Sequence, residues 1–334
     1  MSLIVKELEE RILVLDGAMG TMIQGYGFDE EDFRGELVIN KTYSLKGNND
    51  ILSITRPDVI KSIHYDYLIH GADIIETNTL NSNKISQVKY GTQKYVYEMN
   101  KQSASLAKQA VKEYMSIYPS TPKFVAGSIG PTNKMGSFSK EISKPFSREV
   151  IFDELCDAYE EQVRGLIDGG VDLLILETMI YGINGEAAIV GARNVFEQLR
   201  VKYPIIVSGT INNKSGRILS GQTIESFLWS VKSEDVLAVG MNCSFCDREL
   251  MSFTKNISKK FDCFISLYPN AGFRNAHGKF EQGPEEMVYI LTDIINEGHV
   301  NIIGGCCGTT PQYIEAISKV VKGKRPRKIL KKQR

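Results

Sequence analysis

Short apolar segments alternate with longer amphipathic segments along almost the whole chain. The short segments are rich in Val, Ile and Leu and are apolar at nearly every position, which is typical of strands buried on both faces of a parallel sheet. They comprise residues 11–16, 72–77, 123–128, 171–178, 204–210, 236–243, 262–270 and 299–305. The sequence therefore predicts eight strands.

The amphipathic segments between these strands indicate helices, because several begin near Pro or a capping Asp or Thr and end at Gly. Eight strand and helix units in about 300 residues predict a (β/α)8 barrel, a single domain over residues 1–321. A doubly wound open sheet is the alternative, but no Gly-x-Gly-x-x-Gly motif follows the first strand. Residues 25–50 form the longest predicted insertion, after strand 1, on the face where barrel enzymes carry their sites.

The composition is that of an ordinary soluble globular protein, with 42% hydrophobic and 24% charged residues among 334. The longest apolar segments are far shorter than the roughly 20 residues that span a bilayer. The N-terminal segment lacks the apolar core of a secretion signal. We therefore expect a cytoplasmic protein that does not bind membranes, whose six cysteines are thiols or metal ligands rather than disulfides.

The formal net charge of zero conceals an uneven distribution. Lys and Arg supply eight of the thirteen residues 322–334, and the remaining chain has 32 basic against 40 acidic residues, a net charge of −8. Nucleic-acid binding is disfavoured, because affinity for phosphates comes mainly from clustered cations. Residues 322–334 are interpreted as a basic tail or the remnant of a linker, and the chain as either a fragment or one component of a split enzyme.

The carboxyl ends of the strands meet at one mouth of such a barrel, so the residues that close each strand are expected to lie together. These residues are Asp16, Glu76, Thr77, Ser128, Glu177, Thr210, Asn242, Cys243, Asn270, Cys306 and Cys307. Three cysteines and three carboxylates in this set indicate chemistry rather than turn formation.

The three cysteines have the chemistry of a zinc site. Cys243 ends strand 6, and alternate strands supply side chains to the same interior layer, so it can face the pair that follows strand 8. Cys306 and Cys307 are adjacent, and both can bind one ion only where the backbone is bent. The glycines that flank the pair permit such a bend. Three protein ligands leave a fourth position open, as in catalytic rather than structural zinc sites.

Other interpretations of the cysteines remain open. Cys243 and Cys246 form a Cys-x-x-Cys motif, which is either a redox pair or half of a closed four-cysteine zinc site in which Cys246 replaces one ligand. A disulfide between Cys306 and Cys307, or plain burial of the thiols, are further alternatives. The remaining two cysteines, 156 and 263, are predicted to pack in the core.

Five motifs carry a family resemblance: "LDGAMGT" (15–21), "GADIIETNT" (71–79), "LLILET" (173–178), "GMNCS" (240–244) and "GGCCGT" (304–309). Over residues 11–320 the chain resembles the zinc-dependent homocysteine S-methyltransferases. The segments "DFRGE" and "LKGNNDIL" within residues 32–52 are similar to the N-terminal homocysteine-binding module of cobalamin-dependent methionine synthases, rather than to relatives that use betaine or S-methylmethionine.

The resemblance implies one zinc ion bound by Cys243, Cys306 and Cys307, with the thiolate of L-homocysteine as the fourth ligand. It further implies that Asp16 and Glu177 bind the homocysteine ammonium. The alternative for Asp16 is a helix cap, and for Glu177 a buried ion pair.

Three further groups of residues are expected in the site. The backbone amides of Gly17, Ala18 and Met19 suit the homocysteine carboxylate. Glu76, Thr77 and Asn78 are expected to shape the pocket wall. Asn242 is expected either to orient the centre or to occupy the open zinc position, unless it makes only an ordinary strand-end hydrogen bond.

By the same resemblance the methyl donor is methylcobalamin, recharged from 5-methyltetrahydrofolate and carried by a cobalamin- and folate-binding module or protein, and the product is methionine. Two rival functions remain. A methyltransferase using betaine or S-methylmethionine would work without a corrin, and a non-catalytic zinc protein would close its site with Cys246.

Overall fold

The computed structural model describes residues 2–36, 38, 42–134, 136, 149–211, 215–273, 275 and 280–329. Each predicted strand segment contains one strand. They are β1 (Leu13–Val14), β2 (Ile74–Glu76), β3 (Phe124–Ile129), β4 (Leu173–Met179), β5 (Ile205–Gly209), β6 (Val236–Phe245), β7 (Phe264–Asn270) and β8 (Ile302–Ile303).

These strands form one parallel sheet in the order β1-β8-β7-β6-β5-β4-β3-β2. The first and last strands of that order also meet, through a parallel bridge between Leu15 and Ile74. The backbone N–H of Asp73 donates to the carbonyl of Val14 (2.7 Å), and that of Asp16 to the carbonyl of Ile74 (3.0 Å). The sheet is therefore closed, which confirms the (β/α)8 barrel and excludes the open doubly wound sheet.

A helix follows each strand on the outside of the barrel, as predicted, and one further helix, α1 (Leu3–Glu10), precedes the first strand. The others are α2 (Met19–Gly25), α3 (Glu30–Arg34), α4 (Leu52–Thr55), α5 (Pro57–Ile69), α6 (Lys84–Gln87), α7 (Val96–Ile117), α8 (Phe152–Asp168), α9 (Gly182–Leu199), α10 (Ile224–Val231), α11 (Arg248–Lys260), α12 (Pro284–Asn296) and α13 (Pro311–Val321). Short 3₁₀ turns lie at Asn49–Ile51, Val88–Tyr90 and Gln93–Tyr95. Within the described residues no helix is long and apolar enough to cross a membrane.

Side-chain alternation along the strands fills two separate cores. In β4, Leu173 and Ile175 belong to the interior cluster of the barrel, whereas Leu174 and Leu176 pack with the surrounding helices. The same period of two places Glu177 on the interior side, one step beyond the apolar layers. Helix α1 supplies Ile4 and Leu8 to the interior cluster. The apolar interior thus supports a polar layer at the carboxyl end of the strands.

The insertion at residues 25–50 folds against the barrel, and its residues 37 and 39–41 lie outside the described part of the chain. The Glu30 carboxylate accepts hydrogen bonds from the backbone amides of Leu45 (2.9 Å) and Lys46 (2.9 Å). The Asn48 side chain donates to Gln87 (2.8 Å), and both are buried. This network holds the end of the insertion beside the barrel mouth.

The predicted tail begins as part of the fold, because Arg327 is buried. Its guanidinium donates to the carbonyls of Ser258 (2.8 Å), Cys263 (2.7 Å) and Phe261 (2.5 Å). Ile329 packs against the interior cluster of the barrel. The basic composition of residues 322–334 did not predict the burial of Arg327, because nothing in the sequence distinguishes it from the other seven Lys and Arg residues there. Residues 330–334 of the predicted tail lie outside the described part.

Arg327→Met is expected to lower the free energy of unfolding by about 3 kcal/mol, because three buried carbonyls lose a charged donor. Denaturant unfolding followed by circular dichroism measures the change. Arg325→Met is the matched control, since Arg325 is exposed in the same segment and its loss is expected to cost less than about 0.5 kcal/mol. Equal stability of the two variants would contradict an anchoring role for Arg327.

Candidate active site

A backbone irregularity in β6 presents Cys243 to the barrel mouth. The register between β6 and β7 shifts between Asn242 and Phe245, and Cys243 has a left-handed backbone with φ of 50°. Strict alternation would point the neighbours Asn242 and Cys243 to opposite faces. A positive φ is uncommon for a residue other than glycine, and such residues cluster at functional sites.

Cys306 and Cys307 lie on a tight turn immediately after β8. The Cys306 amide donates to the carbonyl of Pro269 (2.8 Å), and the Cys307 carbonyl accepts from Ala271 (2.9 Å). Gly308 has φ of 83°, and its amide donates to the Thr21 hydroxyl (3.1 Å). The bend expected from the flanking glycines is therefore present, and its left-handed residue is Gly308.

The three thiols converge. Their sulfur atoms all lie within 4.8 Å of one another, and those of Cys243 and Cys307 are 3.7 Å apart. Zinc–sulfur bonds of about 2.3 Å give a tetrahedron with edges of about 3.8 Å, so this spacing fits a tetrahedral metal ion. Hydrogen bonds with Cys243 and Cys307, together with burial, hold the pKa of the Cys306 thiol well above its ordinary value. A bound cation would reverse that shift.

Cys246 does not belong to this group. Among the described residues, the one set of His, Cys, Asp or Glu side chains close enough to share a metal ion is Cys243, Cys306 and Cys307. Cys246 is buried, and its carbonyl accepts a hydrogen bond from Gln282 (2.9 Å). The geometry leaves three protein thiols at the centre rather than four. Cys156 and Cys263 are buried in the core, as predicted.

Three buried carboxyl groups face one another beside the thiols. Burial is the largest influence on Asp16, Glu76 and Glu177, and it raises the pKa of each above its ordinary value, to about 7 for Glu177. The charge of Glu177 acts further on both other groups. One oxygen of Asp16 and one of Glu76 are buried, and neither has a hydrogen-bond partner in the described part of the chain. Among the described residues no Lys or Arg pairs with any of the three carboxylates.

The alternative roles for Asp16 and Glu177 find no support. Helix α2 begins after Ala18, without a side-chain cap. Asp16 instead accepts a hydrogen bond from the Glu76 amide (3.0 Å). Glu177 accepts from the Ser128 hydroxyl and from the Asn242 side chain (3.2 Å), which are neutral donors rather than an ion-pair partner.

Asn242 connects the carboxylates to the thiols. Its amide nitrogen donates to Glu177 and to the Thr178 hydroxyl (2.9 Å), and lies 3.9 Å from the Cys306 sulfur. Its oxygen accepts from the Thr178 amide (2.8 Å). The strand-end hydrogen bond is thus present, and the same side chain also contacts two groups of the site.

The glycine-rich turn after β1 lies against the cysteine turn. The amide of Ala18 donates to the Thr309 carbonyl (3.2 Å), so this one of the three predicted amides is already paired. Those of Gly17 and Met19 have no acceptor among the described residues. A side chain at Gly17 would lie 2.8 Å from the Thr309 hydroxyl and 2.9 Å from the Tyr67 ring, which explains the glycine.

Of the residues predicted for the mouth and the site, all except Asp16, Thr210, Asn242 and Cys243 line one cleft of about 470 Å³. Thr77 is part of its wall, as predicted together with Asn78, and its hydroxyl contacts that of Thr79 (2.6 Å) and accepts from the Ser128 amide (2.9 Å). The cleft also contains residues that the sequence analysis did not select, namely Asn49, Asp50, Asn81, Phe245 and Phe280. The motif "LKGNNDIL" was the available signal for the first two.

A (β/α)8 barrel with three thiols and an acidic pocket at its mouth defines a barrel protein whose centre could hold a sulfur-bound metal ion. Residues 13–321 match the family model described as homocysteine S-methyltransferase, and the chain therefore belongs to the homocysteine S-methyltransferase family. This confirms the family resemblance of the motifs. Membership supports methyl transfer as the reaction and homocysteine as the substrate.

Solved structures agree on the fold. The homocysteine methyltransferase MmuM from Escherichia coli, in its oxidized form, aligns with a TM-score of 0.71 and 21% identity over 95% of this chain and 97% of that one. Its metallated form aligns with a TM-score of 0.69 and 21% identity over 93% and 96%. A 2-naphthoyl-CoA reductase aligns at 0.51, with 12% identity over 79% and 46%. At these identities the likeness concerns the fold.

Proposed function

We propose that Cys243, Cys306 and Cys307 bind one zinc ion, that homocysteine binds to it through sulfur, and that the sulfur accepts a methyl group from methylcobalamin to give methionine. The observation that carries this proposal is the convergence of three thiols beside three buried carboxylates, none of which pairs with a Lys or Arg of the described residues. The thiols suit a soft metal, and the carboxylates suit an ammonium group. Homocysteine supplies both a thiol and an ammonium.

The donor set favours zinc. Three thiolates are soft ligands, and the spacing of 3.7 Å between two of the sulfurs suits a tetrahedral ion. Held by these three cysteines, zinc would supply homocysteine as a thiolate, although the pKa of its free thiol is about 8.5. The three cysteine thiolates would leave the site with a formal charge of −1, so the added sulfur would stay nucleophilic. The metallated form of MmuM, which shares the fold, supports a metal in this family.

The residues of the chain bind the amino-acid end of homocysteine. Its ammonium enters the pocket of Asp16, Glu76 and Glu177, where it satisfies buried carboxylate oxygens that have no other partner. Asn242 keeps Glu177 oriented through its hydrogen bond (3.2 Å). The carboxylate of homocysteine lies at the turn of Gly17 and Met19, whose amides have no acceptor among the described residues. Thr77 and Ala18 complete the wall.

In the transfer itself the homocysteine sulfur supplies the electron pair for the new sulfur–carbon bond, after its thiol proton has gone to solvent. Methylcobalamin, as the donor, would supply the methyl group and would keep the electron pair of the bond that this group leaves. The support for this donor is the segment "LKGNNDIL", which places Asn49 and Asp50 in the wall of the cleft. A cobalamin-carrying module or protein, recharged from 5-methyltetrahydrofolate, is the corresponding partner.

Zinc-edge X-ray absorption with and without L-homocysteine tests the centre. We expect three sulfur ligands and one lighter ligand in the zinc-loaded protein, changing to four sulfurs when homocysteine binds. Selenium-substituted homocysteine provides an independent readout, because a zinc–selenium distance identifies the ligand as substrate. Four sulfurs before substrate is added would indicate that Cys246 closes the site, and would refute the proposed methyl transfer.

A further inference from the structure

The lining of the cleft combines two kinds of side chain. Polar groups include Glu76, Glu177 and Asn78. Two phenylalanine rings, Phe245 and Phe280, line the same cleft as Cys306 and Cys307. The polar groups account for the ammonium and carboxylate of an amino acid. Homocysteine offers the rings no apolar group beyond its short chain.

The irregularity that presents Cys243 also presents Phe245. The register shift of β6 spans Asn242 to Phe245, and after it Phe245 lines the cleft while Ser244 is buried, with its hydroxyl bonded to the carbonyl of Asn242 (3.1 Å). The ring of Phe245 therefore belongs to the same short segment as Cys243, one of the three converging thiols. Displacing one would displace the other.

Phe245 stacks on Phe273, which follows β7. Their ring centroids are 3.9 Å apart with an interplanar angle of 26°, and Phe273 remains 50% exposed. A small apolar cavity of about 140 Å³ lies beside the pair and is lined by Ile211, Leu250 and Phe253 among others. The stacked pair thus forms an aromatic wall that extends from the cleft to the protein surface.

A methyl donor must approach the homocysteine sulfur with its leaving group directed away from that sulfur. Because the polar groups are assigned to homocysteine, the leaving group has the open cleft and its aromatic wall available. A corrin is a broad, flat ring system, and aromatic side chains gain most by offset stacking and by excluding water over such an area. Phe245 and Phe273 offer a surface of this kind, because their rings are stacked and Phe273 is 50% exposed.

We propose that Phe245 and Phe273 are specificity-determining residues that contact the corrin ring of the methyl donor. The inference rests on the proposed function and deepens it, since it identifies which side chains recognise the carrier. Both residues act on the donor alone. Homocysteine and the metal ion are bound by other groups of the cleft.

The test measures transfer from free methylcobalamin to L-homocysteine in the zinc-loaded protein, by the loss of methylcobalamin absorbance without oxygen. Phe245→Ala and Phe273→Ala are each expected to lower kcat/KM for methylcobalamin about tenfold, the effect of losing one aromatic contact. The KM for homocysteine and the zinc content are expected to stay unchanged. Phe245→Tyr should retain most of the activity. Tyr289→Ala, at a residue 73% exposed on α12, is the control.

The outcomes separate the inference from the proposed function. Wild-type transfer with unchanged kcat/KM in both alanine variants would overturn the inference and leave the function intact. Absence of transfer from methylcobalamin in the wild type, with turnover of a dimethylsulfonium donor or betaine, would overturn both. If Phe245→Ala does not fold, Phe273→Ala decides alone, because Phe273 lies at the surface. A rise in the KM for homocysteine would show that the rings support the pocket instead.

Discussion

Cys307→Ser is expected to abolish zinc retention and to lower methyl transfer by at least about 10³-fold, with the barrel still folded. The thiol of free homocysteine is only a few per cent ionised at pH 7, so loss of the metal alone costs about 30-fold in thiolate. Loss of the position that the metal gives to the sulfur accounts for the remainder. Cys306→Ser is expected to behave in the same way, because its sulfur belongs to the same group within 4.8 Å.

Zinc content after dialysis, methyl-transfer rate and thermal unfolding together check this result. Cys246→Ser is the matched control, since Cys246 is buried three residues after Cys243 yet lies outside the sulfur group. It is expected to keep zinc and most activity. The melting temperatures of the metal-free wild type and Cys307→Ser should agree within a few degrees, because the apolar interior does not depend on the rim. Unfolding of the wild type on chelation would show instead that the metal is structural.

The barrel was predictable because its signal is repeated eight times. Each buried parallel strand is apolar on both faces, so composition alone identifies it, and short errors at strand ends do not change the unit count. Strand β8 has two residues where the sequence predicts seven, although the amides of Gly304 and Cys306 still donate to the carbonyls of Leu267 and Pro269 in β7. The (β/α)8 class itself determines the order of the strands and the contact between β1 and β2, so neither needed a separate sequence pattern.

The detailed geometry of the site was less accessible. That Cys243 faces the mouth depends on a positive φ at a residue that rarely adopts one. The amide of Ala18 is engaged by Thr309, a residue almost 300 positions away, so its availability cannot be judged locally. Phe245 and Phe273 lie just beyond the predicted strands 236–243 and 262–270, and only the stacking of their rings distinguishes them from other apolar residues. These features depend on contacts between residues far apart in the sequence, whereas sequence patterns report on residues that are close in sequence.

The acidic pocket lowers the stability of the empty protein more than that of the proposed complex with homocysteine. Burial raises the pKa of all three carboxyl groups, so a proton or a cation is favoured there. An ammonium group relieves both the mutual repulsion and the missing hydrogen bonds. In the proposed binding mode, affinity for homocysteine and low stability of the empty site therefore have the same physical origin.

Glu177→Gln is expected to change binding and stability in opposite directions. Removing the charge should weaken L-homocysteine binding at least about 30-fold, because a buried ammonium loses a charged partner, while zinc is kept. Burial raises the pKa of Glu177 from 4.5 to about 7. Such a group stabilises the folded state fully below pH 4.5, and that stabilisation is lost as pH rises through 7. The metal-free variant should therefore be more stable than the wild type at pH 8, by up to about 3 kcal/mol.

Calorimetric titration of homocysteine into the zinc-loaded variant measures the first effect, and urea unfolding of the metal-free proteins at pH 5 and pH 8 measures the second. Ser128→Ala separates charge from hydrogen bonding, since it removes the hydroxyl donor to Glu177 but keeps the carboxylate, and a loss of only a few fold in affinity is expected. Unchanged homocysteine affinity in Glu177→Gln would exclude this residue from the ammonium site. A gain in stability without a loss of binding would then assign the ammonium to Asp16 and Glu76, the two carboxylates that keep an unpartnered oxygen.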